Sequence, residues 1–375
     1  MNEKHLHIVT HSVPWPANIG GVIDIFYKIK TLHQLGVNIH LHCFIYKNYT
    51  QQDELNKYCK TVHYYDRKID ITRFSFRLPF IVNSRKSNEL IKNLQKDDHP
   101  ILLEGIHTTY YLHSGKLNNR KVFIRLYNAE FEYYHQLSQH ENYPLKRWYY
   151  KYESKLLKKY EHNICRKATI LALSKQDVTH YKEIFHAPDI RYLPAFLPYS
   201  LAVGKEGKGC FCLYHGNLSV NENEKAVEWL LKDVFNDLEV PLIIAGKDPS
   251  EKLKYLVEQQ KHSCLIANPS ENEMQDMIAK AQINILPSFN NTGVKLKLMN
   301  ALFNGRHCIV NTAGVDGSGL EDVCHIAEDK EEFRSLIHHL YQQPFTEEEI
   351  QKRQGLLQNL YNNETNARQL MTWIW

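Results

Sequence analysis

The chain has 375 residues, too many for one ordinary hydrophobic core and suited to two domains. With 43% hydrophobic and 23% charged residues it reads as globular, and no stretch approaches the length of a membrane span. A formal charge of +4, without a basic arm or arginine-rich tract, argues against nucleic acid as partner and favours an anionic ligand over a cationic one.

The start, MNEKHLHIVTH, lacks the regions of a signal peptide, and the eight cysteines include no CxxC pair. Reduced thiols in a cytoplasmic protein are therefore expected. LHIVTH predicts a strand, SVPWPANIGG a loop, and VIDIFYKIKTLHQLG a helix stopped by Gly36. VNIHLHCFI is the next strand, which makes the opening that of a doubly wound parallel sheet. Further strands are expected at PILLEGI, KVFIRLY and ATILALS, with a long helical region over 130–166 and Ser174 capping a helix. The glycine-rich run FLPYSLAVGKEGKG breaks all periodicity and reads as a linker. After it the strands GCFCLYHG, VPLIIAG, SCLIA, INILPS, RHCIVNT and CHIAED alternate with helices. The tail from Thr346 is helical and ends TWIW, whose tryptophans call for burial against the first domain. The expected division is 1–196, a linker at 197–208, a second domain at 209–345, and 346–375 returning to the first.

HLHIVTH and HIHLHC contribute to a total of 21 histidines, yet no HExxH or similar spacing occurs. Their alternation reads as strand residues rather than zinc ligands, and no metal site is expected.

NTGVKLKLMNALFNG follows a strand that stops at proline, and opens on Gly293 into a helical pattern. A helix start presents unpaired N–H groups and the positive end of the dipole. Gly293 and Val294 let backbone approach a ligand, and Lys295 and Lys297 stand in the first turn, where cations are costly unless an anion offsets them. The stretch reads as a phosphate site.

Several segments, in this order, resemble the glycosyltransferases of family 4, the group 1 transferases that use nucleotide sugars. They are PWPANIGGVIDIFYKIKTLHQLGVNIHLH, RLYNAEFEYYHQL with YESKLLKKYE and ILALSKQD, YHGNLSVNENEKAVEWL, and ILPSFNNTGVKLKLMNALFNGRHCIVN. The resemblance implies the GT-B fold, α/β, with two Rossmann-like parallel-sheet domains facing across a cleft and a C-terminal helix returning to the first. It implies a retaining hexosyltransferase in the cytoplasm, acting without a metal or other cofactor in bacterial surface polysaccharide synthesis. The donor would be a UDP- or GDP-linked sugar held by the second domain, and the acceptor a glycan or a lipid-linked sugar. The family places two glutamates eight positions apart around this helix start, and here they fall on Thr292 and Asn300. Neither residue carries charge, which leaves open a sugar-nucleotide-binding scaffold, or an epimerase or hydrolase of the same fold.

The same resemblance assigns Gly20 and Gly21, Gly216 and Asn217, and Lys247 to donor binding, alongside Gly293, Val294, Lys295, Lys297 and Asn300. His107 would stand near the transferred sugar, or else is a structural histidine, and Glu104 is a second candidate beside it. Asn128 and Glu130 end the KVFIRLY segment with Arg125 and serve either the acceptor or the cap of a helix. From Tyr143 to Lys167, eight basic residues face two acidic ones among aromatics. That pattern fits a solvated helix with an aromatic inner face, or a peripheral contact with the inner membrane.

Overall fold

The computed structural model describes residues 3–18, 20–46, 51–290 and 293–375. Asn291 and the candidate Thr292 lie outside the described residues. The chain forms two compact units, Met1–Pro198 with Tyr361–Trp375, and Tyr199–Leu360.

The first unit is built on strands β1 (Lys4–Thr10), β2 (Val37–Ile45), β3 (Thr61–Asp66), β4 (Ile101–Glu104), β5 (Val122–Leu126), β6 (Thr169–Ala172) and β7 (Ile190–Tyr192). They form one seven-stranded sheet of order β3-β2-β1-β4-β5-β6-β7, with every pair parallel. Because successive side chains alternate, Leu102 and Phe123 join one core while Leu103 and Ile124 join the other. Both faces are covered, which is why the central strands read as unbroken apolar runs. The helix Gly20–Gln34 lays Ile25, Ile29 and Leu32 on one face, beside Ala367, Leu370 and Ile374 of the helix Asn363–Ile374. Each such leucine or isoleucine, fully buried, stabilises the unit by roughly 1.5–3 kcal/mol.

The second unit carries β8 (Cys212–Asn217), β9 (Leu242–Lys247), β10 (Ser263–Ala267), β11 (Ile283–Ile285), β12 (His307–Val310) and β13 (His325–Ile326). Its six strands take the order β10-β9-β8-β11-β12-β13, again all parallel. Gly246 is required where β9 passes β8, because a Cβ there would overlap the Gly216 carbonyl oxygen and reach Leu218 Cγ at 2.7 Å.

The division differs from the sequence expectation at two places. Residues 199–208 are part of the second unit: the Val203 N–H donates to Phe303 O at 2.7 Å, and Gly207 pairs with Phe345. The helix Glu347–Tyr361 stays with that unit through Leu360, held by buried Arg353, which donates to Gly305 O and Arg306 O, each at 2.8 Å. Only the last helix packs on the first unit, with Trp373 against its core and Trp375 still 41% exposed.

Candidate functional site

Each sheet reverses its winding once, between β1 and β4 and between β8 and β11. Ligands of open α/β sheets bind beyond the carboxyl ends of the strands at such a point.

In the second unit, β8 delivers His215, Gly216 and Asn217 to that point, and the loop after β11 leads to the helix Leu296–Asn304. Gly293 adopts a φ of 69°, which favours glycine, just before that helix. The helix has Lys295 at its N-cap without a side-chain cap, and the helix Asn221–Trp229 begins at Val220, also uncapped. The helices starting after Ser250, Ser270 and Asp329 are all capped by those side chains. Among the described residues, the site therefore presents two helix starts without a side-chain cap.

Lys295 Nζ donates to Gly293 O at 3.3 Å. Lys297 turns back beneath the loop, where its Nζ donates to Asn223 Oδ1 at 3.0 Å and Tyr214 Oη at 3.2 Å, 4.8 Å from the Tyr214 ring centroid. Among the described residues no carboxylate lies within 4.0 Å of it. Burial first, then Lys295, lowers this ammonium from 10.5 to about 8, with Glu222 opposing. Glu222 itself accepts from Asn290 Nδ2 at 3.0 and 3.2 Å. His215 has a buried Nε2 with no partner among the described residues and is pushed down to about 3 by burial and by Lys297. Asn223 Nδ2 donates to Asn217 O at 2.8 Å, and this ties the end of β8 to the next helix.

Gly216, Asn217, Gly293, Val294, Lys295 and Lys297 thus share the carboxyl-end loops of one unit. Lys247 stands exposed at the end of β9, in register with Asn217. Asn300 faces its own helix, its Oδ1 accepting from Asn304 Nδ2 at 2.8 Å. Sequence reasoning missed Tyr214, His215, Glu222, Asn223 and Asn290; their loop was legible, but which side chains turn inward was not. A cavity of about 290 Å³, lined by Trp229, Pro287, Phe289, Asn311, Glu328 and Phe333 among others, opens beside the same loop.

In the first unit, His107 lies in a short turn, Ile106–Thr108, that Gly105 enters with a φ of 81°. Its ring stacks on His11 at 5.1 Å between centroids, and among the described residues its buried Nδ1 has no hydrogen-bond partner. Burial and the nearby Arg85 hold His107 well below its ordinary value and His11 at about 4, so both rings are neutral. Arg85, 3% exposed, donates to His11 O and Ile81 O and makes no ion pair among the described residues. Glu130 opens the helix Glu130–His140, and burial raises its carboxyl to about 7 against the pull of Arg85. A cap is not its role, since that helix follows Ala129 without a side-chain cap. Asn128 is partly exposed after β5; the exposed Gly20 opens its helix, and Gly21 follows beside His11 and Tyr127.

Glu104 and Arg125 are not ligand-facing. Both are fully buried, in a neutral network where Lys28 donates to Asp24 at 2.9 Å and Glu104 at 2.8 Å, and Arg125 to Asp24 at 3.1 Å. The Tyr127 hydroxyl closes it, donating to Asp24 at 3.1 Å and Glu104 at 2.5 Å. The two acids and two bases join the helix Gly20–Gln34 to β4 and β5, and a lone buried charge there would be costly.

Residues 210–343 match the family of glycosyl transferases group 1. A Klebsiella pneumoniae protein named "Uncharacterized 44.6 kDa protein in cps region" is 28% identical over 331 residues, covering 83% of this chain and 84% of that protein. The TarM crystal structure aligns over 100% of this chain and 99% of its own, with a TM-score of 0.67 and 10% identity. Anabaena Alr3699/HepE, in complex with UDP and glucose, aligns over 99% of each chain, with a TM-score of 0.65 and 10% identity. At these identities the solved structures speak to the fold, and the domain match to the chemistry. The second unit thus carries a glycosyl transferases group 1 domain over residues 210–343, and the chain as a whole has the GT-B fold.

Proposed function

We propose that the chain is a retaining transferase that moves a hexose from a UDP- or GDP-linked sugar to a glycan or lipid-linked acceptor in polysaccharide synthesis. The observation that carries this reading is Lys297, a half-buried ammonium whose hydrogen-bond partners among the described residues are neutral, set at a helix start without a side-chain cap. A diphosphate supplies the missing negative charge. As the bond from the anomeric carbon to the diphosphate breaks, negative charge grows on the leaving group, and Lys295, Lys297 and the helix N–H groups stabilise it without a metal. The acceptor oxygen bonds the same carbon, and its proton passes to a phosphate oxygen of the leaving group. His107, Asn128 and Glu130 serve the sugar and acceptor. Titrating the chain with UDP and GDP tests the reading: binding that Lys297→Met weakens by about 10-fold or more supports it, and no binding of either nucleotide refutes it.

A second reading, a sugar-nucleotide-binding subunit with little turnover, is favoured by Asn300. It stands where the family has a glutamate and is already bonded to Asn304. Tight donor binding without product would select it.

We also propose a peripheral membrane contact through 143–167. No helix among the described residues is long and apolar enough to cross a membrane. The helix Pro144–Ile164 exposes Leu145 and Trp148, and Tyr143 is exposed just before it. Trp148 stacks on Tyr152, which meets the exposed Phe76 edge-on. Exposed aromatics among lysines suit an anionic lipid surface. Cosedimentation with phosphatidylglycerol vesicles, lost in Trp148→Ser, is the expected result; equal recovery with neutral vesicles would contradict it.

A further inference from the structure

The histidine runs HLHIVTH and HIHLHC form adjacent strands, and the sheet brings them together. In register, His7 of β1 faces His40 of β2, and His42 of β2 faces His63 of β3. At the edge of this array, the ligand atoms of His5, His40 and His99 all lie within 4.8 Å of one another. His5 Nδ1 and His40 Nε2 face each other at 3.1 Å.

We propose that His5, His40 and His99 bind one divalent first-row metal ion of the zinc class, with water in the fourth position. Imidazole nitrogen is a preferred donor for such ions, and tetrahedral bonds of about 2.0–2.1 Å place two donors about 3.3 Å apart. The His5–His40 pair already has that separation. The outer ring nitrogens of this pair are also engaged: His5 Nε2 meets Glu3 Oε2 at 3.2 Å, and His40 Nδ1 meets Thr61 Oγ1 at 3.0 Å. A carboxylate on the far nitrogen fixes the tautomer that leaves the near nitrogen's lone pair for a metal, and a hydroxyl accepting from the far nitrogen supports the same tautomer. The His99 main chain is anchored as well, its N–H donating to Asp97 Oδ1 at 3.0 Å and its carbonyl accepting from Arg120 at 2.5 Å. The three rings lie within 14–17° of parallel. Binding therefore requires rotation about their outer torsions, which are soft for histidine.

His5 is near the start of β1, and His99 comes two residues before β4. The site therefore lies toward the starting ends of the strands, whereas His107 and Glu130 follow strand ends. The ion clamps β1, β2 and the approach to β4, and stabilises the first unit without a part in sugar transfer.

The test is a zinc titration of the full chain, stripped with EDTA and dialysed, in competition with a chromophoric chelator. One equivalent is expected with an apparent Kd below about 1 µM, and saturating zinc raises Tm. His99→Gln, in a connecting segment, is expected to weaken this equivalent by about 100-fold and to abolish the Tm rise, and Thr61→Val to weaken it by about 10-fold. His307→Gln, in a separate group with His325 and Glu349, leaves it unchanged. No equivalent tighter than about 10 µM overturns the proposal. So does a tight equivalent that survives His99→Gln or disappears with His307→Gln.

Discussion

Replacing Lys297 by methionine keeps an unbranched side chain one atom shorter and removes its charge and donor. Holding that ammonium at about 8 instead of 10.5 costs the ligand-free fold about 3 kcal/mol at neutral pH, at 1.36 kcal/mol per pH unit. This is an upper figure, because the side chain keeps some contact with solvent. Against it, Tyr214 Oη and Asn223 Oδ1 lose a donor, worth about 1–2 kcal/mol. The variant is thus more stable than the parent by about 1–2 kcal/mol at pH 7. The sign of the pH dependence follows from the lowered value. Between about 8 and 10.5 the unfolded chain holds a proton that the folded chain has released, so parent stability rises with pH. The variant's advantage therefore shrinks toward pH 10 and there becomes a deficit. Urea unfolding of both proteins at pH 7 and pH 10 reads this directly, since all other groups titrate in both. An equal difference at the two pH values would refute the claim that the site holds a strained cation.

Glu130→Gln follows the opposite logic. A carboxyl raised to about 7 loses stability as pH climbs from 4.5 through 7, so the variant is expected to gain up to about 3 kcal/mol at pH 8.5 and nothing at pH 4 by urea unfolding. Arg125→Met leaves Asp24 buried beside one cation instead of two, and is expected to cost about 3–5 kcal/mol of stability in thermal melts. An unchanged Tm with an altered KM would instead place Arg125 at the ligand site. Gly246→Ala forces a methyl against the Gly216 carbonyl, and a loss of about 3 kcal/mol or more is expected in the second unit.

Most of the two sheets was legible because buried parallel strands are continuous apolar runs, such as VPLIIAG and INILPS. The strands that were missed, β3 and β7, are edge strands. TVHYYD is half-exposed and shows no apolar period, and β7 is only three residues long. The stretch proposed to hold phosphate stood out by its glycine, lysines and helical period. Its geometry did not, because Lys297 finds Tyr214 and Asn223 about eighty positions away in sequence. Glu104 and Arg125 misled for a physical reason. A charged residue at a strand end reads as ligand-facing until its partners, here Lys28 and Asp24 on a distant helix, are in view. The histidine runs were correctly read as strand residues, yet alternation along one strand says nothing of what the next strand places beside it.

The central claim is that the second unit holds a sugar nucleotide for transfer. Incubating the chain with UDP- and GDP-linked hexoses, with and without acceptor glycans, and measuring nucleoside diphosphate release together with the anomeric configuration of the product tests it most directly. The account predicts release from one donor class, with the donor's anomeric configuration retained and with loss of activity in Lys297→Met. Release that Lys297→Met leaves intact, or a product of inverted configuration, would contradict it.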